Sequence, residues 1–301
     1  MNAPIPHWPG ELHPAGSQRL FVRTASTDGE PAVFVHGLAG SATNWTDLMG
    51  ELSDGLACDA VDLPGFGFSP PPPTRDYSVS AHARAVAAYI TARKRGPVHL
   101  FGNSLGGAVA TRLAARRPDL VRTVTLVSPA LPDLKPRYGP TRILAATIPG
   151  VGMYGMRKLS ALPPEQRVQG SMEMCYADPS LMHPDRLMAL VEEIRRRDGQ
   201  EHTIPAIIGS ARGAVAEYLR VGPRSLWRDA ARIESPAVVI YGSLDRIVDP
   251  RLAARAQRAF RHGRVVVLPG VGHVGQMERP DLVAAEFRAM HADAAAAWAA
   301  A

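Results

Sequence analysis

Short, nearly continuous apolar runs recur along this chain with helix-patterned stretches between them, and that alternation leaves few architectures open. The runs are residues 19–24, 32–36, 58–62, 98–101, 123–127, 237–241 and 264–268. Runs this apolar suit strands covered by helices on both faces of a sheet. Helical patterns such as 80–93 and 105–116 lie between them. Alternating β and α units predict a mostly parallel, doubly wound α/β sheet. The alternation stops near Pro129 and resumes at the SPAVVIYG segment, after Ile233. Between these points the chain opens with the proline-rich SPALPDLKPRYGP, then carries helical patterns at 181–197 and 211–219. A helical insertion between two strands accounts for this. The expected division is a core of 1–130 and 232–301 with a helical cap of 131–231.

At 301 residues, 46% hydrophobic and 21% charged, the chain has the composition of an ordinary globular protein. Its net charge of +6 raises the question of nucleic acid, but no binding motif accompanies it. The one dense run, Arg195 to Arg197, reads as a solvated helix end. The two cysteines, Cys58 and Cys175, have no metal-ligand spacing and read as buried thiols. The N-terminus lacks a signal-peptide pattern and no apolar run is long enough to span a membrane, so a cytoplasmic protein is expected. The expected partner is a small hydrophobic substrate, with no nucleic acid and no integral membrane segment, and the protein is a monomer or a homodimer.

The chemistry is carried by GNSLGG, which follows the 98–101 strand and precedes a helical stretch. Gly102, Ser104 and Gly106 form G-x-S-x-G, and in this context the motif is a nucleophile elbow. The sharp turn strains the serine backbone, so small residues must flank it. The N–H of Leu105, at the start of the helix, is a natural oxyanion donor. A serine hydroxyl also needs a base, and the base needs an acid to orient it. In this architecture the order is serine, acid, histidine. Asp245 lies just past the 237–241 strand and His273 just past the last one, on the edge that carries Ser104. Asp249 competes with Asp245, but with Pro250 it reads as the cap of the next helix. The loop HGLAG supplies the second oxyanion donor, the N–H of Leu38, with Gly37 allowing the tight turn. Its His36 is expected to hold that loop by hydrogen bonds. No cofactor and no metal are needed.

HGLAG, DLPGFGFS, GNSLGGAVA, YGSLD and GHVGQMERP, in this order, resemble the α/β-hydrolase superfamily over about residues 31–285, apart from the insertion. The resemblance implies an eight-stranded, mostly parallel sheet, a Ser–Asp–His triad and a cap over the pocket. Ser104 sets the chain apart from the epoxide hydrolases and haloalkane dehalogenases, which use aspartate at the elbow. GNSLGG and YADPSLM are similar to segments of the meta-cleavage-product hydrolases, which split carbon–carbon bonds of ring-fission dienones. Those enzymes carry a tryptophan after the catalytic histidine, where this chain has Val274, and a cap arginine that falls at Leu190 here. The leading expectation is therefore a carboxylesterase for small to medium hydrophobic acyl esters. Carbon–carbon hydrolysis and a ligand-binding receptor on the same scaffold are the alternatives. Cap residues Met153, Tyr154, Met156, Met172, Met174, Leu187 and Met188 either line an apolar pocket or pack the cap.

Overall fold

The computed structural model describes residues 4–133, 147–148 and 150–300. The part of the proline-rich opening of the insertion from residue 134 onward lies outside the described residues.

Among the described residues, eight strands form one sheet. They are β1 (Gly10–Ala15), β2 (Gln18–Thr24), β3 (Glu30–Val35), β4 (Leu56–Val61), β5 (Val98–Asn103), β6 (Val121–Val127), β7 (Ala237–Gly242) and β8 (Gly263–Leu268). Their order is β1-β2-β4-β3-β5-β6-β7-β8. The pairs β1–β2 and β2–β4 are antiparallel, and every pair from β4 to β8 is parallel. This is the mostly parallel, doubly wound sheet that the alternation predicts.

Seven strands match the apolar runs. The eighth, β1, has no such signal: it is an exposed edge strand carrying Pro14 and is joined to β2 through Gly16 in the left-handed region, at φ 67°. Edge strands need no buried face, which removes the pattern that reveals the others.

The inner parallel strands are buried on both faces because alternate residues enter different cores, whereas β8, at the far edge, is only partly buried. In β3, Val33 and Val35 join one cluster, while Ala32 and Phe34 join the other. The first cluster is closed by α2 (Val79–Arg93) and α3 (Leu105–Arg116). The second is closed by α1 (Thr46–Leu52) and by the C-terminal helix Pro280–Ala299.

No strand interrupts the described residues between β6 and β7. This stretch holds α4 (Val151–Ser160), α5 (Pro164–Cys175), α6 (Pro184–Asp198), α7 (Thr203–Leu219) and α8 (Leu226–Ala230). After β7 come α9 (Leu252–Ala259), α10 (Gly275–Glu278) and α11 (Pro280–Ala299). The helix α7 begins eight residues earlier than its sequence pattern, with Gly209 in the stretch the pattern misses and Gly213 within it. Both glycines serve close approach: a Cβ at Gly209 would lie 2.6 Å from the Tyr77 ring, and one at Gly213 would lie 2.7 Å from the Tyr77 carbonyl oxygen.

One buried arginine ties the inserted helices to the core. Arg112 of α3 is 1% exposed and donates from Nε to Asp229 of α8 at 2.5 Å. Its terminal nitrogens donate to Glu217 of α7 at 2.8 and 3.3 Å, to Ser80 at 2.7 Å and to the Arg224 carbonyl at 3.2 Å. All of its donor nitrogens are engaged, which is what burying a guanidinium requires. Arg112→Ala leaves two carboxylates buried without their cation, and an expected loss of about 3–5 kcal/mol follows. Chemical denaturation checks this, and a loss below about 1 kcal/mol would contradict the role assigned to Arg112.

Candidate active site

The carboxyl ends of the parallel strands lie on one edge of the sheet, and the candidate residues emerge there. Ser104 joins β5 to α3 with φ 53° and ψ −117°, a backbone conformation that side-chain-bearing residues rarely adopt. The turn is held by Ser104 N–H to the Val127 carbonyl at 3.1 Å, and by the Ser104 carbonyl accepting from Ala108 and Ala130. Close approach explains the flanking glycines. A Cβ at Gly106 would lie 2.1 Å from the Val35 carbonyl oxygen, and one at Gly102 would lie 2.5 Å from the Gly106 carbonyl oxygen.

Asp245 follows β7 and is fully buried. Its Oδ1 accepts from the N–H groups of Ile247 at 2.8 Å and Val248 at 2.9 Å, and its Oδ2 accepts from His273 Nδ1 at 2.9 Å. Burial opposes its charge, but His273, Ser128 and the Ile247 N–H outweigh burial and hold the carboxyl below its ordinary range. With Nδ1 committed to Asp245, His273 keeps Nε2 for other partners. Asp249 is not the cap expected of it: Arg251 holds the N-cap position of α9 without a side-chain cap, and Asp249 accepts the Arg251 N–H at 3.0 Å just ahead of the helix.

Ser104, His273, Gly37 and Leu38 line one cavity of about 280 Å³. The N–H groups of Leu38 and Leu105 have no hydrogen-bond acceptor among the described residues. His36 is fully buried, donates from Nδ1 to the Gly37 carbonyl at 2.7 Å and accepts the Leu63 N–H at Nε2, at 3.0 Å. It therefore holds the loop, as its position suggests.

Two positioning residues, Asn103 in GNSLGG and Glu278 in GHVGQMERP, lie within the motifs, but the sequence reveals no role for either. Asn103, beside the serine, donates to the carbonyls of Val127 at 3.0 Å and His273 at 3.2 Å, tying the histidine loop to β6. Glu278 accepts the N–H groups of Gly272 at 3.0 Å and Ala177 at 3.2 Å. The His273 N–H reaches the Cys175 carbonyl at 2.7 Å. The histidine loop thus hangs between the core and the end of α5.

The inserted helices supply the rest of the wall. Val168, Met172, Met174, Leu190 and Ile194 face the cavity with Ile247, Val274 and Met277. The methionines split: Met172 and Met174 line the cavity, whereas Tyr154 and Met188 are exposed and Leu187 packs within the insertion. Cys175 also lines the cavity and is half-buried, unlike Cys58, which is buried. The arginine run differs from the solvated end expected of it. Arg195 is exposed, but Arg196 donates to the Gly67 carbonyl at 2.9 Å and stacks 3.8 Å over the Phe68 ring. Arg197 donates to the Ala39 carbonyl at 2.7 Å and to Glu193 at 2.6 Å. Burial opposes the charge of Glu193, yet Arg197, Ser41 and Thr43 hold its carboxyl down at about 2. These charges fasten α6 to the loop that carries Leu38.

A model of the alpha/beta hydrolase family matches residues 32–286. The chain belongs to that family. It is 29% identical over 260 residues to the dihydrolipoyllysine-residue acetyltransferase component of the acetoin cleaving system of Cupriavidus necator, covering 86% of this chain and 63% of that protein. The chain thus spans less than two thirds of that relative. It is 27% identical over 254 residues to the pimeloyl-[acyl-carrier protein] methyl ester esterase of Neisseria meningitidis serogroup B, covering 84% of this chain and 90% of that enzyme. Among solved structures it is similar to the 2-hydroxy-6-oxo-6-phenylhexa-2,4-dienoate hydrolase of Rhodococcus sp. strain RHA1. That likeness has a TM-score of 0.77 and 22% identity, and covers 94% of this chain and 98% of that one. The relatives support hydrolase activity and leave the substrate open. No helix among the described residues is long and apolar enough to cross a membrane.

Two buried histidines give the fold a pH dependence. Burial holds His36 neutral down to about 4 and His82, whose Nε2 lies 3.0 Å from Ser210 Oγ, down to about 3. The unfolded chain protonates both near pH 6.5. Below that pH the unfolded state binds protons that the fold refuses, and each group costs about 1.4 kcal/mol per pH unit. Asp62, pushed up to about 6 by burial, works in the opposite direction only below pH 6. The guanidinium midpoint is expected to fall as pH drops from 7 to 5; a flat or rising midpoint would contradict this.

Proposed function

We propose that this chain is a serine hydrolase, a carboxylesterase acting on small to medium hydrophobic acyl esters, with Ser104 as nucleophile. One observation carries the reading. Ser104 and His273 share a cavity, and Asp245, fixed by two N–H groups, engages the far nitrogen of His273.

In this mechanism His273 Nε2 removes the Ser104 proton as Oγ attacks the ester carbonyl. Asp245 keeps the ring in the required tautomer and stabilises its cation. The N–H groups of Leu38 and Leu105 hold the oxyanion, the second of them at the N-terminus of α3. His273 returns the proton to the departing alkoxide, leaving an acyl-enzyme on Ser104. Water, activated by the same histidine, then releases the acid. The helices between β6 and β7 act as a cap, and Met172, Met174 and Ile194 receive the acyl group. Methionine side chains adapt to varied shapes.

Carbon–carbon hydrolysis is the second reading, and Arg197 is the observation that favours it. Leu190 stands where the meta-cleavage enzymes are expected to have an arginine, but Arg197, two turns along α6, also reaches the cavity. Glu193 and the Ala39 carbonyl already engage it, so an anionic dienone meets a neutralised cation. The ester reading therefore stands first.

Turnover of nitrophenyl esters of graded chain length tests the assignment. Ser104→Ala is expected to lose on the order of a million-fold in kcat, and Asp245→Asn about ten-thousand-fold. Unchanged turnover in folded Ser104→Ala would overturn the reading, and a preference for a ring-fission dienone would reverse the ranking.

A further inference from the structure

The inserted helices expose an apolar face that takes no part in the cavity. On α4, Val151, Tyr154 and Leu159 share one side of the helix, and Leu162 continues it beyond the helix end. Tyr154 is 64% exposed. Arg212 of α7 donates to the Thr147 carbonyl at 2.9 Å, which sets the start of α4 beside α7. The end of α7 and the chain leaving it expose Leu219 and Val221, each 82% exposed. None of these side chains lines the cavity.

The exposed charged side chains on α4 and α7 are basic, and the exposed Glu165 beyond Leu162 is paired with Arg195. Arg157, Lys158, Arg212 and Arg224 are exposed. The acidic residue of the same two stretches, Glu217, is 1% exposed and bound to Arg112. Lys158 lies within the apolar stripe, its ammonium 5.5 Å from the centre of the Tyr154 ring. A long cationic side chain there can lie along apolar surface and lift its charge to the level of a headgroup. Tyrosine, apolar along its ring and polar at its tip, suits the same depth.

The geometry points to an anionic phospholipid bilayer as the partner of this face. An apolar helix side carrying lysine and arginine, with no exposed acid on α4 or α7, suits binding in the plane of a bilayer interface. A second copy of the chain fits poorly, because a symmetric contact would set the same cations against each other. A nucleic acid would leave the apolar stripe unused. Docking would bring the inserted helices, which wall the cavity, against the layer where hydrophobic esters partition. The inference concerns adsorption and does not rest on the esterase reading.

Co-sedimentation of the full chain with vesicles of equal parts phosphatidylcholine and phosphatidylglycerol tests it, with phosphatidylcholine vesicles and a DNA duplex alongside. Binding to the anionic vesicles, weakened by salt, is expected. Arg157→Gln with Lys158→Gln should bind on the order of thirty-fold less tightly. Tyr154→Ser with Leu159→Ser should also lose binding, and both variants should unfold at the temperature of the parent. Absence of vesicle binding would overturn the proposal, as would equal binding to both vesicle types or binding indifferent to these variants. Preference for the duplex, or a dimer lost in the Tyr154→Ser, Leu159→Ser variant, would assign the face to those partners instead.

Discussion

The strained turn at Ser104 is the constraint around which the rest of the site is arranged. A left-handed φ at a residue with a side chain costs on the order of 1–3 kcal/mol, and it persists only where surrounding structure fixes it. Here the fixing is done from three sides. The Ser104 N–H bonds to β6, its carbonyl accepts from both α3 and the chain after β6, and Gly106 lets α3 sit against the carbonyl of Val35. The same contact sets the distance between the elbow and the loop that follows β3, where Gly37 and Leu38 stand. A Cβ at Gly37 would lie 3.1 Å from that of Ser104. Strain at the serine and proximity of the second N–H are two results of one packing arrangement.

The sheet fixes Ser104, Asp245 and Leu38 on short connections from its strand ends, but His273 is placed differently. Its loop is suspended from Asn103, Glu278 and the end of α5. Movement of the inserted helices therefore bears directly on the histidine. The ties that limit such movement are ionic: Arg112 beneath α7 and α8, Arg196 and Arg197 beneath α6, and Arg186 of α6 with Asp47 of α1. Each has a buried or half-buried partner, which explains why arginine, with its forked donors, dominates the basic residues here. A net charge that first suggests an anionic macromolecule is in part internal fastening.

Much of the fold was legible because buried parallel strands cannot hide their composition. The buried 237–241 run marks its strand and the loop carrying Asp245; the 264–268 run is as apolar although its strand is a partly exposed edge, and it marks the loop carrying His273. The edge strand β1 was not legible, since its residues face water and carry Pro14. The start of α7 was obscured by Gly209, which gives close approach to Tyr77, a residue far away in sequence. At the candidate site, the gathering of Ser104, Asp245 and His273 on one edge and the loop-holding bonds of His36 were legible from motif and order. The parts of Asn103 and Glu278 were not: each acts through backbone groups of other loops, so its neighbours become visible only when the chain is folded. The arginine run was misread for the same reason, because the carbonyls of Gly67 and Ala39 that accept from it lie outside any local pattern.

Under the proposed serine-hydrolase reading, the fold prepares Ser104 for attack. Reaction of the native protein with a fluorophosphonate, followed by peptide mapping in a mass spectrometer, tests it most directly. A single adduct on Ser104, formed in the folded protein and absent after unfolding in denaturant before labelling, is the predicted result. An adduct on a different residue, or none on folded protein that hydrolyses esters, would contradict the account.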